Sequence, residues 1–399
     1  MTHRAMTDLD VRGRVVFCRV DFNVPLDGTT ITDDRRIRAV LPTLRWLRKS
    51  GARVLCASHL GRPKGKRVPE LSLSPVAARL GELLAAPVQI ADDCIGAAAR
   101  QLAEGLEDGE AGLLQNLRYH DGETAGDAAF ARALAEPAEL YVSDAFGAAH
   151  RAHASVVGVP EVLGNAAAGF LMDAEIRSLG RLLERPERPY AAILGGAKVA
   201  DKIPLIERLL ARVDDLLVGG AMSYTFLAAR GVPVGASRVE SDRLELARAL
   251  DEKARARGVA LHLPVDHLTA ARLEGTAALD LRTTSGPEID DGRIGLDIGP
   301  RTVEAWKKVL SNSVATVLWN GPLGLFEAPG CEEGTRAIAE HLAGISAFRV
   351  LGGGDTAAAA ALFGTADAYD HVSTGGGAAL ELLSGVELPG LAVLERFAR

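Results

Sequence analysis

The sequence predicts an α/β protein of two doubly wound parallel-sheet domains, Rossmann-like in class, joined by a helix and hinge. The first reason is length, because 399 residues exceed the usual size of one domain, about 150 residues. The second is that short, continuously apolar runs alternate with segments of helical periodicity, as in parallel sheets covered by helices on both faces. The third is that these runs end in different residue types in the two halves of the chain. We therefore expect two domains that hold different ligands.

Composition limits the partners of the protein. The formal net charge is −7, so no overall basic field attracts nucleic acid or anionic lipid. The four cysteines never form a CxxC pair and are too few for a disulfide framework, which favours buried thiols in a reducing compartment. The first residues lack a signal-peptide core, and no apolar stretch approaches the ~18 residues that span a membrane. We expect a cytoplasmic protein without nucleic-acid or membrane partners.

The domain boundary is predicted near residue 170. Apolar residues recur at helical spacing from Met172 to Glu184, and the motif Arg-Pro-Glu-Arg-Pro follows. This pattern indicates a connecting helix. We therefore predict an N-terminal domain over residues 1–170 and a C-terminal domain that includes this helix over residues 171–385.

Basic residues follow the predicted strands of the first domain. Ligands bind at the carboxyl ends of parallel strands, and the guanidinium fork matches phosphate and carboxylate groups. A single arginine is usually a solvated surface charge. Here several share one predicted edge with two histidines: Arg36, Arg62, Arg118, Arg151, His59 and His150. The set predicts a site for a small polyanion, in which the histidines either orient the ligand or bind backbone groups.

Two further polar residues end the first strand of this domain. In R-V-D-F-N-V-P, Pro25 ends the strand and turns Asp21 and Asn23 toward the predicted site. Asp21 can hold a substrate hydroxyl, or it can form an Asx turn. The local sequence leaves both interpretations open.

Glycine and lysine follow the predicted strands of the second domain. Neither a P-loop motif nor G-x-G-x-x-G occurs, so phosphates must be held another way. In L-G-G-A-K-V-A-D-K, Asp201 is predicted to cap a helix that has Pro204 in its first turn, which places Lys202 near the helix N-terminus. A cation there opposes the helix dipole unless an anion lies between Lys198 and Lys202. The alternative is two surface lysines.

Three glycine-containing segments complete the predicted nucleotide site. In L-G-G-G-D-T, Asp355 either ligates Mg²⁺ through nucleotide phosphates or caps a helix. The segment S-T-G-G-G-A, residues 373–378, follows a strand and opens a helix, so it offers N–H donors to a phosphoryl group or serves tight packing. In W-N-G-P-L-G-L-F-E, Glu327 is an acid suited to ribose hydroxyls.

With these segments, the chain resembles the phosphoglycerate kinase family from about Asp8 to the C-terminus. The motifs R-V-D-F-N-V-P, S-H-L-G-R-P, D-A-F-G-x-A-H-R-A-H, L-G-G-A-K-V-A-D-K, W-N-G-P-x-G-x-F-E, G-G-G-D-T and H-V-S-T-G-G-G-A occur in family order. The resemblance implies reversible, Mg²⁺-dependent phosphoryl transfer between 1,3-bisphosphoglycerate with ADP and 3-phosphoglycerate with ATP, in glycolysis and gluconeogenesis. It also implies a monomer whose C-terminal tail, residues 386–399, packs back on the N-terminal domain.

The resemblance assigns roles to individual residues. Expected to bind 3-phosphoglycerate are Asp21, Asn23, Arg36, His59, Arg62, Arg118, His150 and Arg151. Expected to bind the nucleotide are Gly196, Lys198, Lys202, Gly220, Asn320, Pro322, Gly324, Glu327, Gly352, Gly353, Gly354, Asp355 and Thr356, with Asp355 also serving Mg²⁺. Expected to act in transfer are Arg36, Lys198 and the loops of Gly353 and Gly376. The chain departs from the family motifs at Gln115, Ser143 and Ala148, beside the arginines, which puts the tuning of affinity in question.

The expected chemistry needs no general base, because the attacking carboxylate is already ionised near neutral pH. The task is to align the reactants and neutralise charge on the transferring group, and we expect hinge closure to precede it. A nicotinamide-dependent dehydrogenase is a rival interpretation, against which the missing G-x-G-x-x-G counts. A non-catalytic binding protein is another, against which the retained charged positions count.

Overall fold

The computed structural model describes residues 2–275, 277–311 and 313–398 and divides into two compact units. The first unit is the chain up to Arg177 together with the segment from Glu387 onward, and the second is Ser178–Val386. Each unit contains a six-stranded sheet whose strand pairs are all parallel. The predicted α/β class with two parallel sheets is confirmed.

The first unit has its sheet in the order β5-β6-β4-β1-β7-β8. Its elements up to the second unit are β1 (Val15–Val20), β2 (Leu26–Asp27), β3 (Thr30–Ile31), α1 (Arg35–Lys49), β4 (Arg53–Ala57), α2 (Ser74–Leu84), β5 (Val88–Ile90), α3 (Gly96–Gly105), β6 (Ala111–Leu113), α4 (Asp121–Ala125), α5 (Ala128–Ala135), β7 (Leu140–Asp144), α6 (Val159–Leu163), β8 (Ala166–Ala168) and α7 (Phe170–Glu184). Every residue of β1 is buried, as expected for a central strand that helices cover on both faces. Because these strands run parallel to one another, the carboxyl ends of β1, β4 and β7 lie along one edge of the sheet.

The second unit has its main sheet in the order β11-β10-β9-β17-β18-β19. Its elements are β9 (Tyr190–Leu194), α8 (Ile203–Leu209), β10 (Asp215–Val218), α9 (Met222–Ala229), α10 (Leu244–Ala256), β11 (Ala260–His262), β12 (His267–Ala270), β13 (Arg272–Glu274), β14 (Ala277–Leu279), β15 (Arg282–Thr283), β16 (Ile294–Ile298), α11 (Pro300–Val309), β17 (Thr316–Asn320), α12 (Glu333–Gly344), β18 (Phe348–Gly352), α13 (Gly354–Leu362), β19 (His371–Val372) and α14 (Gly377–Leu383). Trp306 and Trp319 are buried in its core. A smaller antiparallel sheet has the order β15-β12-β16, and its strands lie between β11 and β17 in the sequence.

The helix expected between the domains is α7, and the division between the units falls inside it, after Arg177. The last helix, α15 (Pro389–Glu395), belongs to the first unit. A Cβ added to Gly390 would lie 2.9 Å from the Cα of Ala149, so only glycine fits this contact. Arg396 then pairs with Glu161 at 2.6 Å. Both ends of the chain thus contribute to one unit.

Two features bear on the chemistry of the chain. The four cysteines are free and buried. Within residues 2–275, 277–311 and 313–398, helices that combine the length and the apolar character needed to cross a membrane do not occur.

Candidate functional site

The strand ends of the first unit bring Asp21 and Arg36 together. Asp21 follows β1, and Arg36 is the second residue of α1; a nitrogen of Arg36 lies 2.5 Å from Oδ2 of Asp21. The backbone N–H of Asn23 donates to Oδ1 of Asp21 at 3.3 Å, so the aspartate also makes the Asx-type contact that was the alternative to a binding role. The side chain of Asn23 accepts the N–H of Gly61 at 2.9 Å. These contacts fix the loop after β1 against the loop after β4.

Arg118 is a buried cation with unused donor capacity. One of its terminal nitrogens donates to the carbonyl of Gly61 at 2.7 Å. Its Nε is buried and has no hydrogen-bond partner among the described residues. Burial, followed by repulsion from Arg151 and Arg19, lowers the pKa of Arg118 to about 10. An anion bound beside Arg118 would stabilise this desolvated guanidinium and offset the repulsion from the neighbouring cations.

His59 lies among these cations and is neutral. It is buried after β4, and burial together with the charges of Arg19, Arg118 and Arg151 holds its pKa well below the ordinary value. Its Nδ1 is 3.2 Å from a terminal nitrogen of Arg19. Because arginine can only donate, Nδ1 accepts this hydrogen bond and the ring proton is on Nε2. A neutral histidine can then donate to an anion without adding a further charge.

The remaining predicted residues of this unit differ in their exposure. Arg151 is half-buried, and its Nε donates to Nε2 of His150 at 3.0 Å. Arg62 is exposed, in the loop after His59. The structure therefore brings Arg118, Arg151 and His59 into one electrostatic cluster near Asp21, whereas Arg62 lies on the surface.

Three residues of this region were not among the predicted site residues: Arg19, Glu123 and Ser155. Arg19 lies in β1, is almost fully buried and donates to the Oγ of Ser155 at 2.8 Å. Glu123 is fully buried and accepts from both the backbone N–H and the hydroxyl of Ser155. Glu123 lies in the polar stretch H-D-G-E-T-A-G-D, which has no strand or apolar pattern to indicate burial. Its environment comes from long-range packing.

Glycines let the strand ends of the second unit approach closely. A Cβ on Gly195 would lie 2.0 Å from the carbonyl oxygen of Pro322, and one on Gly220 would lie 2.6 Å from the N of Gly196. Gly196 has a φ of +103° and donates to the carbonyl of Pro322 at 2.9 Å. The ends of β9, β10 and β17 are therefore in backbone contact, with Gly196, Gly220 and Pro322 at the same edge. Close backbone contact therefore requires glycine at Gly195 and Gly220.

Lys202 is held at this edge. Its Nζ donates to the side-chain oxygen of Asn320 and lies 3.3 Å from the backbone oxygen of the same residue. Burial lowers the pKa of Lys202 to about 8, and the charges of Asp201 and Asp355 oppose that shift. Lys198 is exposed in the preceding loop. A half-buried ammonium that has lost part of its hydration is well suited to a phosphate.

The predicted helix cap at Asp201 is wrong, and of the two interpretations left open for Asp355 the helix cap does not apply. Asp201 lies inside a short 3₁₀ turn, Ala200–Lys202, and Lys202 itself occupies the N-cap position of α8 with Pro204 in the first turn. The extra turn moves the start of the helix beyond Asp201. Gly353, with a φ of +91°, is the N-cap of α13, and Asp355 is exposed in its first turn. Asp355 is therefore not committed to a cap and is open to a ligand.

The other predicted nucleotide residues have identifiable contacts. Thr356 is buried, and its hydroxyl accepts the N–H of Gly321 at 2.6 Å. A Cβ on Gly352 would lie 3.0 Å from the Nδ2 of Asn320, and one on Gly324 would lie 2.3 Å from a carboxylate oxygen of Asp297. Gly354 and Glu327 are exposed. Thr356, Gly352 and Gly324 thus shape the edge, while Gly354 and Glu327 present groups to solvent.

The loop after β19 presents a glycine N-cap. Gly376, with a φ of +48°, is the N-cap of α14. The Oγ of Ser373 accepts the N–H of Gly375 at 3.2 Å. The segment therefore follows a strand and opens a helix, as the sequence indicates.

The chain is similar to known phosphoglycerate kinases over almost its whole length. The family model described as phosphoglycerate kinase matches residues 6–386. A phosphoglycerate kinase of Anaeromyxobacter sp. (strain K) is 51% identical over 398 residues, which are 99% of this chain and 100% of that protein. One of Synechococcus elongatus is 50% identical over 99% of this chain and 98% of its own.

Solved structures give the same result. The phosphoglycerate kinase of Coxiella burnetii has a TM-score of 0.90 at 39% identity and covers 100% of both chains. The enzyme of Pyrococcus horikoshii OT3 has a TM-score of 0.82 at 31% identity and covers 98% of both. The chain therefore belongs to the phosphoglycerate kinase family, a family of phosphotransferases whose substrates are an adenine nucleotide and a small phosphorylated acid.

Proposed function

We propose that the first unit binds 3-phosphoglycerate or 1,3-bisphosphoglycerate and that the second binds ATP or ADP together with Mg²⁺. One observation carries the proposal: Arg19, Arg118 and Arg151 crowd around a neutral His59, and a donor of Arg118 is buried without a partner among the described residues. Crowded cations repel one another, so a small anion with two charged ends would reduce the electrostatic repulsion within the cluster.

Each residue of the first unit has a proposed task. Arg118 and Arg151 hold the anionic groups of the acid, with the exposed Arg62 as a further ligand. His59 donates from Nε2, and Asp21 and Asn23 position the acid, with His150 orienting Arg151. Arg36, whose side chain is 39% exposed, leaves Asp21 in part to reach the group in transfer. The same residue then neutralises negative charge in the transition state.

The second unit has the phosphate-binding tasks. Lys198 and Lys202 contact nucleotide phosphates, and an added anion would return the pKa of Lys202 toward its ordinary value. Gly220 and the Asn320–Gly324 segment line the adenosine pocket, and Glu327 accepts ribose hydroxyls. The loops of Gly353 and Gly376 direct N–H groups at the moving phosphoryl group.

Asp355 is suited to Mg²⁺. Its carboxylate is exposed, is not used as a cap, and is close enough to Lys202 to influence the pKa of that lysine. Mg²⁺ commonly takes one or two carboxylates and completes its shell with water and phosphate oxygens. The ion would supply charge neutralisation on the phosphates. The protein's own positive charge on the phosphates comes from Lys198, Lys202 and Arg36. The attacking carboxylate is ionised and needs no general base.

Since the proposed ligands are held by different units, we propose that hinge closure precedes transfer. We also propose that the protein acts as a cytoplasmic monomer. Small-angle scattering should show compaction when both substrates are added, and sedimentation should give the mass of one chain. No compaction, or a dimer at working concentration, would contradict these points.

The decisive experiment is 3-phosphoglycerate-dependent formation of ADP from ATP, with and without Mg²⁺. We expect activity only when the acid, ATP and Mg²⁺ are all present. Arg118→Met should raise the concentration of 3-phosphoglycerate needed for half-maximal ADP formation more than tenfold, whereas Arg132→Met, at an exposed arginine on α5, should leave it unchanged. ADP formation that does not depend on the acid would refute the proposed site.

A further inference from the structure

A chain of hydrogen bonds lies beneath the cationic cluster of the first unit. It begins at Glu123 in α4, which is fully buried. Oε2 of Glu123 accepts the backbone N–H of Ser155 at 2.9 Å, and Oε1 accepts the hydroxyl of Ser155 at 2.6 Å. Both carboxylate oxygens are therefore directed at one serine.

Ser155 in turn orients Arg19 by a hydrogen bond. The hydroxyl of Ser155 uses its proton on Glu123, so its oxygen is free to accept from Nε of Arg19, at 2.8 Å. A terminal nitrogen of Arg19 also donates to the neighbouring carbonyl of Val20. The guanidinium is thus fixed at both ends, and its other terminal nitrogen points at Nδ1 of His59, 3.2 Å away.

The charges along this chain are matched. Arg19 is 1% exposed, and a buried cation needs a counter-charge. Burial by itself would raise the pKa of Glu123, but His153, the charge of Arg19 and the two hydrogen bonds from Ser155 outweigh it and lower that pKa below the ordinary value. Glu123 is therefore ionised at neutral pH and is the anion that balances Arg19.

We propose that Glu123 is a positioning residue: through Ser155 it orients Arg19, which in turn selects the His59 tautomer that carries its proton on Nε2. The inference rests on the proposed role of His59 as a donor to 3-phosphoglycerate. Without the link from Glu123, Arg19 can turn away from His59, and the ring can place its proton on Nδ1, which leaves Nε2 as an acceptor facing an anion. The acid would then meet repulsion where it needs a donor.

The tautomer is measured directly, without substrate. The nine histidines are labelled with ¹⁵N, the His59 signals are assigned with His59→Gln, and long-range ¹H–¹⁵N spectra report which ring nitrogen is protonated. We expect the Nε2–H form alone in the parent protein and a mixture of forms in both Glu123→Gln and Ser155→Ala. A purely structural role of Glu123 would lower stability without changing the tautomer.

Two variants protect the test against misfolding, and Glu139→Gln is the matched control. Glu139 also accepts a backbone N–H, from Val15, but at the opposite end of β1. In folded Ser155→Ala we expect KM for 3-phosphoglycerate to rise about tenfold, the effect of one lost hydrogen bond to a charged group, with KM for ATP unchanged. Glu139→Gln should change neither the tautomer nor KM.

The outcomes separate the two levels of the argument. If His59 keeps the Nε2–H form in both variants, the positioning role of Glu123 is refuted, whatever the kinetics. If the tautomer changes while KM for 3-phosphoglycerate does not, His59 is not a donor to the acid, and that part of the proposed function fails.

Discussion

Acid should destabilise the second unit through one residue, His267. His267 opens β12, is fully buried, and packs against Tyr224 with ring centroids 5.3 Å apart. Burial lowers its pKa from the ordinary 6.5 to about 4, against opposing contributions from Asp266 and the backbone of Pro287. The folded protein therefore holds the neutral ring at a pH where the unfolded chain is already protonated.

The sign and size of the effect follow from proton linkage. The unfolded chain binds a proton near pH 6.5 and the folded protein only near pH 4, so stability falls as the pH drops through that window and the loss is complete below pH 4. A shift of that size corresponds to about 3 kcal/mol. His267→Leu replaces the titrating imidazole with an apolar side chain. The part of the acid sensitivity that comes from His267 should therefore disappear.

The measurement is urea unfolding at pH values between 7 and 4, followed by the fluorescence of Trp306 and Trp319. Both are buried in the second unit, and a Trp46→Phe background removes the signal of the first. The parent should lose about 3 kcal/mol more than His267→Leu between pH 7 and 4. His341→Gln, a partly buried histidine of the same unit, should behave like the parent.

Asp297 acts in the opposite direction. Burial raises its pKa to about 7, so it contributes stability at acid pH that is lost as the pH rises toward 7. Because parent and His267→Leu both contain Asp297, its contribution cancels in the comparison. Equal pH dependence of the two proteins would refute the reasoning about His267.

Other substitutions test the candidate site and the close strand ends. Lys198→Ala should lower kcat at least a hundredfold while KM for ATP changes little, because the proposed role is in transfer; steady-state kinetics with unchanged kcat would remove Lys198 from it. Arg118→Met should raise KM for 3-phosphoglycerate more than tenfold, measured by titration of the acid at saturating ATP, and a normal KM would contradict the anion site. Gly195→Ala should destabilise the second unit by about 3 kcal/mol in urea unfolding, because its Cβ would lie 2.0 Å from a backbone oxygen; Gly105→Ala, with open space around it, should cost nothing measurable.

The architecture could be predicted because parallel strands leave a strong local signal. The strands β1, β9 and β17 are buried throughout and appear in the sequence as continuous apolar runs that end in polar or glycine residues. The same signal places Asp21 and Asn320 at the carboxyl ends of strands. The connecting helix α7 is also visible, since its apolar spacing is local.

Features set by long-range contacts could not be predicted. The pairing of Arg19 with Ser155 spans 136 residues and that of Glu123 with Ser155 spans 32, and neither follows from the local sequence. The wrong cap at Asp201 and the open choice at Asp355 have a different cause, since both are good N-cap residues, and only the backbone decides where the helix begins. The antiparallel sheet of β12, β15 and β16 was missed because its short strands lie in a polar, loop-like stretch.

The position of α15 has a consequence for synthesis of the protein on the ribosome. Most of the first unit precedes the second unit in the chain, yet α15, which packs against the Ala154–Gly158 turn and β8, follows it. The second unit is one continuous segment, Ser178–Val386, and all of it is translated before α15. The first unit therefore cannot be completed until the whole of the second unit has been synthesised, and the surface around Ala149 stays uncovered until α15 reaches it.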